Sequence, residues 1–239
     1  MSTRSRIAIQ VKDGSVKSIY CHHDGDLDYV GMILFNYYKS YDKVLDLINL
    51  GNISSLGTEP SEAFDSTKTI KTSTYEINVK VRDYNRLGEG LKYNMPKVQT
   101  FKEFNKYCQK ASDGVEYIYY FTPDRNGNYR WLYKELIYKR IENEYSYKDY
   151  YYMNKFKPLC ERSINLELAF SYLYYYQLNS GILNQPYRYD KESIEKASND
   201  LNEIIDELKK IFTDKQFNKV VNLYDNNIRK AREYVRGLA

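Results

Sequence analysis

The sequence predicts an α+β fold: an antiparallel hairpin-based sheet with flanking helices, followed by a helical C-terminal extension that contains an antiparallel αα-hairpin. Apolar and polar residues alternate around two turn signals, Asp13-Gly14 and Asp124-Arg125-Asn126-Gly127, which is typical of β-hairpins. From residue 163 onward, apolar residues instead recur at spacings of three and four. These observations divide the chain into an α+β domain, 1–135, and a helical extension, 136–239.

The first hairpin comes from alternation at the start of the chain. Ile7, Ile9 and Val11 alternate with polar residues and predict a half-buried strand over 6–12, with a return strand over 16–22. Asp13-Gly14 between them is a type I′ turn signal.

Two short helices and a β-rich segment follow. Apolar spacing predicts a helix beginning after Asp28, placed as its N-cap, and a second helix that stops at Gly51. The polar residues after Gly51 predict a loop. The rest of the domain is predicted to contain strands within 69–82, a helix over 101–111 and a hairpin formed by 115–122 and 129–134.

The extension is predicted to hold three long helices, at about 163–183, 190–212 and 215–237. The last two have similar lengths and a short link, which predicts that they form the αα-hairpin. Their apolar stripes either pack on each other or present a groove for a homodimer or a partner.

Composition limits the class of protein. A net charge of +4 from 36 basic and 32 acidic residues favours neither a dedicated nucleic-acid binder nor an acidic DNA mimic. No apolar run reaches the ~20 residues that span a bilayer, and the apolar run after the basic N-terminus is too short for a signal peptide, so we expect a cytoplasmic protein without a membrane partner. The 28 tyrosines fit an AT-rich genome or, alternatively, a contact surface.

The stretch from Tyr20 to Asp28 holds both histidines of the chain and three acidic residues around one Asp-Gly turn. Imidazole and carboxylate groups bind Zn, Mn or Fe, so His22, Asp24 and Asp26 are the candidate ligands of a metal site. Neighbouring residues of a strand point to opposite faces, which would separate His22 from His23. A non-metal ligand or partner site at His22, His23, Asp24 and Asp26 is the other interpretation.

Two further groups are candidate binding residues. Arg82 and Asp83 begin a Gly-containing stretch that is predicted to be a loop, and loops often contain functional residues. Arg125, Arg130 and Trp131 combine basic and aromatic groups, which suits base stacking or a protein contact. A salt-bridged loop and a hairpin with one buried Trp are the corresponding structural interpretations.

The first domain carries several short motifs: Thr3-Arg4, Ile19-Tyr20-Cys21-His22-x-Asp24-Gly25, Val30-Gly31, Leu50-Gly51-Asn52-Ile53-Ser54-Ser55-Leu56-Gly57, Arg82-Asp83 and Gly88-Glu89. Together these motifs resemble a family of short phage and prophage proteins of unassigned activity, over roughly the first 135 residues. At the turn, relatives commonly carry Trp before Asp-Gly and Tyr-Pro after it, where this chain has His23, Asp26 and Leu27.

The chain has no nucleophile elbow, P-loop or dinucleotide fingerprint, so we assign no catalytic residue and expect no cofactor. The resemblance implies a phage accessory protein, and we expect it to bind a host protein or complex, for example as an anti-defence inhibitor. Two alternatives stay open. One is a small metal-dependent hydrolase centred on His22, Asp24 and Asp26, and the other is a nucleotide or nucleic-acid binder.

Overall fold

A computed structural model describes residues 3–60, 67–71, 76–83, 95–109, 114–138, 150–152 and 155–238. The chain forms two compact units, residues 1–160 and 161–239. The boundary that the sequence predicts is at residue 135. The structure continues the first unit beyond that point because two further short strands pair with the strand that runs through 135.

The first unit is a mixed sheet with helices on both faces. Its helical elements are a π-helical turn, Leu27–Gly31, and the helices α1, Met32–Tyr37; α2, Tyr41–Asn49; and α3, Phe101–Tyr107. Its strands are β1, Ser5–Gln10; β2, Val16–Cys21; β3, Ile53–Ser55; β4, Thr69–Lys71; β5, Glu76–Asn78; β6, Arg82–Asp83; β7, Lys97–Gln99; β8, Tyr117–Pro123; β9, Tyr129–Tyr138; β10, Tyr150–Tyr152; and β11, Lys157–Pro158.

Both predicted hairpins are present. β1 pairs with β2 and β8 pairs with β9, in each case antiparallel. The first turn is not type I′, because Gly14 (φ 84°) has a positive φ and Asp13 does not. Asp13 instead accepts a hydrogen bond from the Ser15 amide through its side chain (2.8 Å), so the connection is a longer loop that an Asx turn stabilises.

Parallel pairing joins the hairpins into one sheet, which the sequence analysis did not predict. β1 pairs in parallel with β8, and β2 with β3, and the strand order is β10-β9-β8-β1-β2-β3-β6. β3 lies where a loop was predicted after Gly51. β7 pairs with β2, β11 pairs with β9, and β4 and β5 form a separate two-stranded ribbon.

Side chains of the sheet alternate between two covered faces. One face, which includes Tyr119 and Trp131, contacts the α1–α2 region. On the other face, Ala8, Ile118 and Tyr120 pack against Phe104 of α3. A capping box at Thr100 begins α3, which ends before the predicted residue 111; residues 110–113 lie outside the described part of the chain.

The second unit is helical. Its elements are α4, Glu161–Asn184; a 3₁₀ turn, Pro186–Arg188; α5, Lys191–Ile211; α6, Asp214–Asn226; and α7, Ile228–Arg236. The predicted third long helix is two helices, because Asn227 leaves the helical conformation and caps α7 by accepting from the Lys230 amide (3.1 Å).

An αα-hairpin is present in this unit, but its arms differ from those predicted. α5 packs along α4, and α6 packs with α7, while α5 and α6 make few contacts. Leu173 of α4, Leu208 of α5, Val220 of α6 and Ala231 of α7 lie in one buried core. Among the described residues, no helix has the length and apolar character needed to cross a membrane.

Candidate functional site

The His22–Asp28 turn is fixed by hydrogen bonds to three segments. The amides of His22 and His23 donate to the carbonyls of Ile53 and Ser54 (3.1 and 3.0 Å), which continues the β2–β3 pairing. Gly25 donates to the Thr3 carbonyl (2.9 Å). An added Cβ at Gly25 would lie 2.8 Å from the carbonyl carbon of Arg4, so only glycine fits at this close approach.

A buried tyrosine hydroxyl also holds the turn by a hydrogen bond. The Tyr119 hydroxyl donates to the Gly25 carbonyl at 2.9 Å, and Tyr119 is fully buried. These contacts give the Asp24-Gly25 signal a structural role, since they hold the first residues of the chain, the turn and the sheet together.

The two histidines meet at the end of β2. Their rings make an edge contact with centroids 4.5 Å apart, and the Tyr20 hydroxyl lies 3.1 Å from Nδ1 of His22. The expectation that the two side chains point to opposite faces was wrong, because β2 ends at Cys21 and the alternation ends with it. Partial burial, with His23 and Arg4 nearby, lowers the pKa of His22.

The acidic residues have unlike environments. Asp24 is exposed and adopts a positive φ of 54°, whereas Asp28 is buried. Asp28 is not the helix N-cap that the sequence analysis placed there; Asp26 occupies that position, without a capping bond from its side chain. Burial, together with Asp28 and Glu116, raises the pKa of Asp26 to about 6.

The turn does not assemble a metal site. Among the described residues, no three His, Cys, Asp or Glu side chains lie close enough to hold a metal ion, so His22, Asp24 and Asp26 do not converge as a ligand set. The structure therefore gives no geometric support to a hydrolase centred on them.

Arg82 and Asp83 lie in a strand and not in the predicted loop. They form β6, in which Asp83 is opposite Ile53 and Arg82 opposite Ser55. Their side chains, and residues 84–94, lie outside the described part of the chain.

Trp131 belongs to the core and is separated from the arginines beside it. It is 5% exposed, its indole N–H donates to the Tyr38 carbonyl (2.8 Å), and its ring packs on Phe121. Arg125 is exposed in the turn, and Arg130 is exposed on the strand face opposite to Trp131. Trp131 is therefore unavailable for stacking on a base, and the three residues form no common site.

An exposed apolar surface lies instead on the second unit. Residues 168–187 contain no Lys, Arg, Asp or Glu. We define the tyrosine surface as five residues whose side chains are 45–79% exposed: Tyr174, Tyr175, Leu178, Tyr187 and Tyr189. The tyrosine content of the sequence allowed a contact surface but did not locate it; the signal for its location is a long charge-free segment with tyrosines on more than one face of the helix.

A groove lies along the same part of α4. It has a volume of about 530 Å³ and is open to solvent, and we call it the α4–α6 groove. Its lining residues are Tyr176, Gln177, Ser180, Gly181, Leu183, Asn184, Leu201 and Asp225. The Gln177 side-chain amide donates to the Asp225 carboxylate at 3.2 Å, which connects α4 to the end of α6.

In comparisons with known proteins, no protein-family model, no curated protein and no solved structure matches this chain.

Proposed function

We propose that this protein acts by binding another protein through the tyrosine surface of its C-terminal unit. The observation that supports this most directly is the combination of large exposed side chains with a charge-free helix segment. Protein-binding surfaces are enriched in Tyr and depleted of charge at their centres, because tyrosine buries much area and loses little side-chain entropy.

The size of the surface supports the same proposal. A fully buried aromatic side chain removes about 150–250 Å² from water, so four tyrosines and one leucine at the observed exposures offer on the order of 500 Å² of side-chain surface. Aromatic side chains of this total exposure offer a partner the kind of contact residue that protein-binding surfaces favour.

The resemblance of the first domain gives the proposal its narrower form. The partner would be a host protein or complex, such as a component of a defence system, and the protein would act as a phage accessory factor in the host cytoplasm. The fold of the first unit would then serve as a scaffold, since its turn motif is occupied by internal hydrogen bonds.

The test is affinity capture from a bacterial lysate with matched surface variants. The binding variant is Tyr175→Ser with Leu178→Ser, and the control is Phe101→Ser in the first unit, where Phe101 is 47% exposed against 48% for Tyr175. We expect one partner to be retained by the native protein and the control but lost by the double variant, and the purified partner to bind with at least about tenfold lower affinity to that variant.

Circular dichroism must show that the double variant keeps its helices and melting temperature. Capture that is equal for all three folded proteins would contradict a role for this surface.

A further inference from the structure

The α4–α6 groove lies where two helices end. α4 ends at Asn184 and α6 at Asn226, and both contribute their last turns to the groove or its rim. A helix C-terminus carries roughly half a negative charge from its unpaired carbonyls. This charge counts at α4, whereas at α6 the N-terminus of α7, which begins at Ile228, offsets it. The two other helices of this unit have basic residues in the last turn, Lys209 and Lys210 in α5 and Arg236 in α7, whereas α4 and α6 have none.

The lining side chains add further negative character. Asp225 is the charged residue among those that line the groove, and its carboxylate accepts a hydrogen bond from Gln177. The other polar groups that line it are the neutral side chains of Ser180 and Asn184, and none of the lining residues is Lys or Arg. The helix that supplies Leu201, α5, contains six Asp or Glu and four Lys, so it carries a small excess of negative charge.

The rest of the groove is apolar and has space for a side chain. Tyr176, Leu183 and Leu201 supply the apolar lining. Gly181 lies within α4, and a Cβ added there would meet no atom within 4 Å. Glycine inside a helix costs about 1 kcal/mol relative to alanine, so packing within this unit does not account for Gly181, whereas an occupant of the groove would.

We propose that the α4–α6 groove binds a basic, apolar segment of the partner protein, with an apolar side chain over Gly181 and a Lys or Arg side chain beside Asp225. This inference rests on the proposed function, because the groove and the tyrosine surface share the same turns of α4. In this arrangement the groove selects for charge.

The test uses two short fluorescein-labelled amphipathic helical peptides with one leucine pattern, in which the polar face is lysine in one and glutamate in the other. Binding to the full-length protein is followed by fluorescence anisotropy. Two variants alter the groove, Asp225→Asn and Gly181→Leu. The control is Asp214→Asn, which removes the same charge from the opposite end of α6.

We expect the Leu/Lys peptide to bind and the Leu/Glu peptide to bind at least tenfold more weakly. Asp225→Asn should weaken binding of the Leu/Lys peptide about 5- to 10-fold, since a charge-assisted hydrogen bond is lost. Gly181→Leu should abolish binding while the melting temperature stays equal or rises, because leucine favours the helix and enters open space. Asp214→Asn should leave the affinity unchanged.

Equal affinity for the two peptides, or equal weakening by Asp225→Asn and Asp214→Asn, would overturn the inference, as would normal binding by folded Gly181→Leu. Lysate capture separates this result from the proposed function. If capture needs Tyr175 and Leu178 but survives Gly181→Leu, the groove inference fails and the tyrosine surface stands. If capture is insensitive to all of these substitutions, both fail.

Discussion

Asp26 should make the first unit less stable as the pH rises from 4 to 6. Its pKa is raised from the ordinary value of 3.8 to about 6, mainly by burial and further by Asp28 and Glu116. Because the folded-state pKa exceeds the unfolded-state value, ionisation of this carboxyl opposes folding. Below pH 3.8 the group is protonated in both states and no penalty exists; the penalty grows above that pH and is complete above about pH 6.

The size of the effect follows from the shift. A shift of about two pKa units corresponds to at most about 3 kcal/mol, and partial solvent access at Asp26 reduces this to about 1–2 kcal/mol. The Thr3 side chain forms a hydrogen bond with Asp26. Asp26→Asn keeps the shape of the side chain and an acceptor for this bond but cannot ionise. At pH 7 the variant should therefore be more stable than the native protein by about 1–2 kcal/mol, and the difference should vanish near pH 4.

Urea unfolding at several pH values between 4 and 7 measures this difference. Trp131 is the one tryptophan of the chain and lies in the core of the first unit, so its fluorescence reports on the unfolding of that unit. Asp24→Asn is the matched control, because Asp24 is exposed and Asn tolerates its positive φ. A native protein and an Asp26→Asn variant that keep a constant stability difference from pH 4 to 7 would refute the reasoning.

Three further substitutions test the packing and the helix ends. Trp131→Phe removes the hydrogen bond to the Tyr38 carbonyl and opens space in the core, so the free energy of unfolding of the first unit should fall by about 2–4 kcal/mol. Urea unfolding followed by far-ultraviolet circular dichroism measures this loss, and a loss below about 0.5 kcal/mol would contradict the place of Trp131 in the core. Thr213→Ala removes the capping box of α6 and should cost about 1 kcal/mol, with Ser in its place restoring stability. Gly181→Ala should stabilise the second unit by about 0.5–1 kcal/mol in thermal unfolding, and a destabilised variant would show that the space beside it is not open.

The sequence predicted those parts of the fold that depend on patterns among residues close together in the chain. Both hairpins, α2 with its stop at Gly51 and the long helices of the C-terminal unit follow from alternation, spacing and turn residues. The parallel pairing of β1 with β8 could not be predicted, because it depends on contacts between segments distant in the chain. The break at Asn227 was also missed, since the apolar stripe continues through it and the capping bond is made by a single side chain.

The candidate site was predicted less well than the fold. The polar composition of the motif around Asp24-Gly25 is typical of a metal or ligand site. In the structure, its backbone groups and the Tyr119 hydroxyl instead join the first residues of the chain to the sheet by hydrogen bonds. Trp131 was a candidate for contact with a ligand because the burial of a single side chain cannot be predicted from the residues beside it in the sequence. The tyrosine content allowed a contact surface but gave it no location, because a charge-free stretch is marked by missing residue types and not by a motif.

The parallel contact between β1 and β8 also sets an order for folding during synthesis. β1 can close its hairpin with β2 as soon as Cys21 has left the ribosome, but its second edge has no neighbour until Phe121 follows. At about 5–20 residues per second, that edge stays open for several seconds. During that interval the apolar strand Ile7-Ala8-Ile9 is open to pairing with other nascent chains.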